Sequence, residues 1–225
     1  MELHHVLNRG VEKRNIFMNS ADYARFVHDL YEFNDPAPAP EYSRRDNVGF
    51  TKSHTREPIV DIHGWTLMRN HYHLVLSERV EGGLSFFCRK LNVGYANYFN
   101  EKYERSGSLF QGRTKKILIE SDAHFLYILH YVHLNPLDYL EGAGAWRHGQ
   151  IENYERALAH LSSYKWSSYS DYCGRKNFPS VIQTDLFADV FGNYEQTLGR
   201  YLKGMRDGKS KRTLDIEGLK FDDWQ

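Results

Sequence analysis

The spacing of hydrophobic and polar positions changes several times along this chain, and each change marks an element. Leu3–Arg9 (LHHVLNR) is short, partly apolar and closed by Gly10, which suits an opening strand. Tyr23, Phe26, Val27, Leu30 and Phe33 then recur at helical spacing behind Asn19 or Ser20, either of which can cap the first turn. One buried stripe on a sheet is predicted. Pro36, Pro38 and Pro40 break regular structure, and the Ser-, Arg-, Asn- and Gly-containing stretch that follows predicts a long loop over about 36–57. Pro58–Leu67 reads as a strand, Met68-Arg69-Asn70 as a tight connection and His71–Ser77 as the returning strand of a hairpin.

Helical spacing resumes after Gly82-Gly83, where Leu84, Phe87, Cys88, Leu91, Tyr95, Tyr98 and Phe99 mark one face of a long helix ending near Tyr103. Lys115–Glu120 (KKILIE) predicts another strand. Ser121 or Asp122 can cap a helix over Asp122–Asn135, with Phe125, Ile128, Leu129 and Val132 as its buried stripe and Pro136 as its stop. At about 100° per residue, Tyr127, Tyr131 and Asn135 share a second stripe, with His124 nearby. Ile151, Tyr154, Leu158 and Leu161 suggest a further helix, Trp166, Tyr169 and Tyr172 read as packing residues, and Thr184–Met205 reads as a last helical region.

Composition narrows the class. A chain of 225 residues fits one domain with a core of its own, here a main part over 1–150 and a helical extension over 151–225 packed on it. Lys+Arg and Asp+Glu are equal at 29 each, so any polyanion-binding surface must be a local patch. Such a patch exists between Ser85 and Lys116, where Arg89, Lys90, Lys102, Arg105, Arg113, Lys115 and Lys116 outnumber Glu101 and Glu104. The end of the chain is basic too, through Arg200, Lys203, Arg206, Lys209, Lys211 and Arg212. Cys88 and Cys173 lack metal or redox spacing and read as reduced thiols. With no apolar run of membrane length and no leader, a cytoplasmic protein is expected.

The candidate chemistry centres on His71 and His73. On a strand both point the same way about 7 Å apart, while Tyr72, Leu74 and Leu76 point to the other face, so two imidazoles can converge on one ion. With 12 histidines in the chain the pair is a weak signal alone, and partly exposed strand histidines are the competing reading. A Tyr and an Asn four apart at a helix end, Tyr131 and Asn135, add weight.

Together these segments resemble the single-tyrosine HUH transposases, most closely their REP-associated tyrosine transposase branch. The resemblance rests on HHVLNRGVEKRNIF (His4–Phe17), GWTLMRNHYHLVL (Gly64–Leu76), YFNEKYERSGSLFQGRTKKILIE (Tyr98–Glu120), YVHLNPL (Tyr131–Leu137) and YKWSSYSDYCG (Tyr164–Gly174), in the family's order. It implies a mixed α/β (α+β) fold with a ferredoxin-like antiparallel sheet, packed helices and a helical C-terminal extension. It further implies a divalent ion, Mg²⁺ or Mn²⁺, on His71, His73 and Asn135, and Tyr131 as the nucleophile that cuts single-stranded or hairpin DNA. The products would be a 5′-phosphotyrosine link and a free 3′-OH. Two features depart from the family pattern, the length of the 36–57 loop and Arg69 where a Pro is common.

The DNA is expected over Arg89, Lys102, Arg105, Arg113, Lys115 and Lys116, and the protein as a monomer or homodimer. Tyr127 rivals Tyr131 as nucleophile because it lies on the same stripe. Tyr131 is favoured because it is one helical turn from Asn135, whereas Tyr127 is two. A hairpin-DNA-binding protein with little or no cleavage, and an unrelated His-x-His metallohydrolase with further His or Asp ligands, are the alternatives.

Overall fold

The computed structural model describes residues 1–38 and 56–208. Most of the loop expected over about 36–57, and Lys209, Lys211 and Arg212 of the basic tail, lie outside the described residues. Apart from a 3-10 turn at Val11–Lys13, the elements up to Leu118 are β1 (Leu3–Arg9), α1 (Ser20–Glu32), β2 (Val60–Met68), β3 (His71–Glu78), α2 (Gly83–Lys102) and β4 (Lys115–Leu118). The strands form one sheet in the order β2-β3-β1-β4 with every pair antiparallel. This βαββαβ arrangement is the ferredoxin-like fold.

Register decides which residues share a face. Pairing sets His71 opposite Arg9 and Met68, His73 opposite Leu7 and Thr66, and Leu7 opposite Lys115. One face therefore carries His5, Leu7, Arg9, His71, His73, Val75 and Lys115. The other carries Val6, Leu67, Tyr72, Leu74 and Leu76, and it packs on α1 and α2: the Tyr72 ring lies 5.0 Å from Phe26, and Tyr72 OH donates to Asn92 Oδ1 at 2.8 Å. Asn19 caps α1, and its own backbone N–H donates in return to the Asp22 carboxylate, as its position before the periodic run predicts. Asp22 is fully buried and also accepts from Lys102, Tyr98 and Tyr103, which ties α1 to α2.

The histidine-bearing face is covered by α3 (Asp122–Leu134). Gly64 of β2 lets α3 approach closely, since a Cβ there would lie 3.0 Å from Leu129 Cδ1. α3 ends one residue earlier than the sequence predicts. Asn135–Tyr139 continues as a 3-10 turn with Pro136 near its start, where a missing N–H costs no helical bond. Four more helices follow: α4 (Tyr154–Ser163), α5 (Tyr169–Tyr172), α6 (Asp185–Phe191) and α7 (Tyr194–Arg206). The single region expected over Thr184–Met205 is thus two helices, split at Gly192 (φ 57) and restarted by an Asn193 cap.

This extension is fixed to the rest in two ways. It pairs with the outer edge of β2 through Leu67 N to Trp166 O, Ser168 N to Trp65 O and Gln183 N to Ile62 O, at 2.8–2.9 Å. It also holds α3, because His133 shares hydrogen bonds with Tyr194 OH at 2.9 Å and Ser168 Oγ at 2.8 Å. Among the described residues, no helix is long and apolar enough to cross a membrane.

Candidate active site

Three imidazoles meet beneath α3. His71 and His73 have ring centroids 4.9 Å apart with perpendicular planes. His5 stacks on His73 at 5.1 Å, and His5 Nε2 shares a 2.9 Å hydrogen bond with His73 Nδ1. That bond occupies one nitrogen of His73 and leaves Nε2, which is buried and has no hydrogen-bond partner. On His71 the tautomer follows from its neighbour. Asn70 donates through Nδ2 to Lys13 O at 3.2 Å, so its Oδ1, 2.6 Å from His71 Nδ1, must accept. His71 Nδ1 therefore carries the proton, and its lone pair is on Nε2.

Burial keeps these rings neutral. It lowers His71 to about 3, helped by the charges of Arg9 and Arg147 and opposed by Asp138. It lowers His5 to about 3, with His124 adding to the effect. His73 falls well below its ordinary value, first through burial and then through His71, His5, Arg147 and Arg9. A neutral imidazole with an available lone pair is the form a metal ion requires.

The donor set fits a divalent ion in part. Two neutral imidazoles, one with an orphaned buried nitrogen, can serve as ligands, and an amide oxygen is a reasonable third. Among the described residues, no group of three or more His, Cys, Asp or Glu side chains is placed to hold a metal ion. A His-x-His metallohydrolase would need such a group. Asn135, the expected third ligand, is fully buried, with Nδ2 donating to Tyr131 O at 2.7 Å and Oδ1 accepting from Arg147 Nη2 at 2.8 Å.

The two rival tyrosines have different surroundings. The Tyr131 ring stands edge-on to His73 at 5.6 Å and to His5 at 5.7 Å. The Tyr127 ring lies against Tyr201 at 6.2 Å and Tyr131 at 6.0 Å. Burial, with Tyr201 and Tyr131 beside it, pushes the Tyr127 phenol far above its ordinary value, and Tyr131 is buried as well, so what separates the two is the ring contact of Tyr131 with the imidazoles.

The six cationic residues expected to bind DNA do not form one patch. Lys115 is in the same cross-strand row as His73, two strand spacings or about 10 Å away, and exposed Arg113 precedes it. Lys116 points to the opposite face and donates to Ser85 Oγ at 2.7 Å. Arg89 lies on α2, across the sheet from the imidazoles, stacked over Phe86. Lys102 donates to the Asp22 carboxylate at 2.5 Å, and Arg105 to Asn100 Oδ1 at 2.6 Å. The charge count along the sequence could not see Asp22, which comes from α1.

No family model and no curated protein matches this chain. A solved structure described as a REP-associated tyrosine transposase bound to a REP hairpin aligns with 82% of this chain and 86% of its own, at 14% identity and a TM-score of 0.45.

Sequence reasoning missed four residues at this site. His5 and Arg9 sit on β1 facing His73 and His71, and their alternation along HHVLNR was visible, but the β1–β3 register that brings them there was not. Asp138 and Arg147 follow α3 in a segment with no periodic pattern. Asp138 Oδ1 accepts from both Trp146 Nε1, at 2.8 Å, and Arg147 Nη1.

Proposed function

We propose that the chain cleaves single-stranded or hairpin DNA and transfers the cut strand through a 5′-phosphotyrosine on Tyr131. The observation behind this reading is that Tyr131 packs edge-on to His73 and His5, and that His73, which neighbours His71, has a buried nitrogen without a partner. His71, His73 and the Asn135 amide oxygen would hold a divalent ion. When bound, Mg²⁺ or Mn²⁺ acts as a Lewis acid on a non-bridging phosphate oxygen. The protein does the rest. Tyr131 attacks phosphorus, the Tyr131 O–P bond forms as the P–O3′ bond breaks, and the leaving oxygen takes up a proton to become a free 3′-OH. Because the new phosphodiester replaces the one broken, a second 3′-OH can attack it and rejoin the strand without ATP.

Incubation with Mn²⁺ of hairpin-containing single strands labelled at the 5′ end, to follow the released fragment, or at the 3′ end, to follow the protein-bound one, tests this. The expected result is a 3′-OH-ended fragment together with label retained on protein through denaturation, neither of which appears with EDTA. Cleavage to products all free of protein would contradict it.

In this reading the DNA lies over the end of the sheet that carries Lys115 and Arg113. Replacing both by Ala is expected to weaken binding similarly across sequences and to reduce the salt slope by about 1.4, roughly 0.7 for each single-strand phosphate no longer neutralised. Replacing Arg89 and Lys116 by Ala should leave the slope within about 0.3 of the original, because both face the other side of the sheet. Equal effects from the two pairs, measured by fluorescence anisotropy at several salt concentrations, would sink this placement.

A further inference from the structure

Arg147 lies in the 3-10 turn Trp146–His148, and its side chain is 12% exposed. Its guanidinium stacks 4.2 Å over the Trp146 ring, bonds Asp138 through Nη1 and donates to Asn135 Oδ1 through Nη2 at 2.8 Å. The orientation of the Asn135 amide is settled by its other end, since Nδ2 is committed to the Tyr131 carbonyl at 2.7 Å. The amide oxygen that a metal ion would use is therefore already capped by a cation. The same charge also acts on His71 and His73.

We infer that Arg147 makes metal loading depend on the phosphodiester: it holds the Asn135 oxygen in the free protein and yields it, or shares it, only when an anionic phosphate lies between the two cations. The inference rests on the proposed function and adds a positioning residue to it. Two cations drawn to one buried carbonyl oxygen repel each other strongly, because little water lies between them to screen the charge. A phosphate oxygen removes that conflict, since a guanidinium prefers an anion to an amide as acceptor and the ion gains a charged ligand. Thermodynamic reciprocity then requires that metal tighten DNA binding by the same factor that DNA tightens metal binding.

The test is Mn²⁺ binding to the full chain, followed by the electron paramagnetic resonance signal of free Mn²⁺, with and without a hairpin oligonucleotide. For the wild type, the oligonucleotide is expected to tighten Mn²⁺ binding by about tenfold or more, within the usual range of coupling between sites. Arg147→Met keeps an apolar stem on Trp146 and removes the charge. It should bind Mn²⁺ alone about fivefold or more tighter than the wild type and gain little from DNA. Arg147→Lys, which keeps the charge, should stay close to the wild type, and Arg147→Gln serves as the neutral variant if the Met protein does not fold. Asp138→Asn combined with Arg147→Met should retain the gain.

Unchanged or weaker Mn²⁺ binding by the neutral variants would overturn the inference. So would loss of the gain in the double variant, because the effect would then belong to the Asp138 charge. His73→Ala separates the two levels of argument. Mn²⁺ binding that survives His73→Ala would overturn both this inference and the DNA-cleaving reading beneath it, whereas His73-dependent binding indifferent to Arg147 would overturn the inference alone.

Discussion

Tyr131→Phe is expected to abolish the covalent protein–DNA product while leaving the fold and DNA affinity nearly intact. The substitution removes one oxygen and keeps the ring, which packs against His73, His5, Tyr127 and Trp146 at 5.6–6.0 Å. The backbone carbonyl that fixes Asn135 is untouched. Stability should change by no more than about 1 kcal/mol, the usual net contribution of one hydroxyl's hydrogen bonding. Loss of the proposed nucleophile, in contrast, should leave no route to a protein-linked strand. Tyr127→Phe should retain product, since the Tyr127 ring packs on Tyr201 and Tyr131 whereas the Tyr131 ring packs on His73 and His5. Product from Tyr131→Phe on a denaturing gel, with none from Tyr127→Phe, would reverse the assignment.

The second large effect concerns acid. His5 and His71 are held at about 3, His124 and His130 at about 4, and His73 and His133 well below their ordinary value, in every case with burial as the leading cause. Unfolded, each returns to about 6.5 and binds a proton readily. Because the folded values are depressed, the stability these rings permit is complete above pH 6.5 and is lost as pH falls toward the folded values. Each costs about 1.4 kcal/mol per pH unit, so six together cost about 8 kcal/mol per unit, comparable to the whole stability of a typical domain. Acid unfolding followed by tryptophan fluorescence should therefore have its midpoint between about pH 5 and 6. A midpoint below about pH 4, where carboxylates titrate, would show that these histidines are not buried neutral in the folded protein.

Much of the architecture was legible because it is local. The β2–β3 hairpin followed from alternating residues around Met68-Arg69-Asn70, and the α1 cap from Asn19 placed before a periodic run. The same logic assigned Tyr131 and Asn135 to one stripe. What failed was either a missed local signal or a long-range contact. Gly192-Asn193 carries its own stop-and-start signal, overlooked inside a longer helical pattern. Pro136 marks the end of α3 to within one residue, and the 3-10 turn that follows tolerates it near its start. The bond between Lys102 and Asp22 is not legible in the charge pattern, because the two residues are 80 apart in sequence. The His5–His73 bond spans 68 residues and exists only through the β1–β3 register. Arg147 was invisible for a related reason: the EGAGAWRHG segment has no periodicity, and only the fold brings it back over Asn135.

In the proposed reaction Tyr131 forms the bond to DNA beside His71 and His73. This is tested most directly by peptide mass mapping of the product formed with a hairpin oligonucleotide and Mn²⁺, after nuclease trimming of the DNA. The expected product carries a nucleotide attached through a 5′-phosphate to Tyr131, and it is absent when His73 is replaced by Ala. A nucleotide on Tyr127 or on any other residue would contradict it.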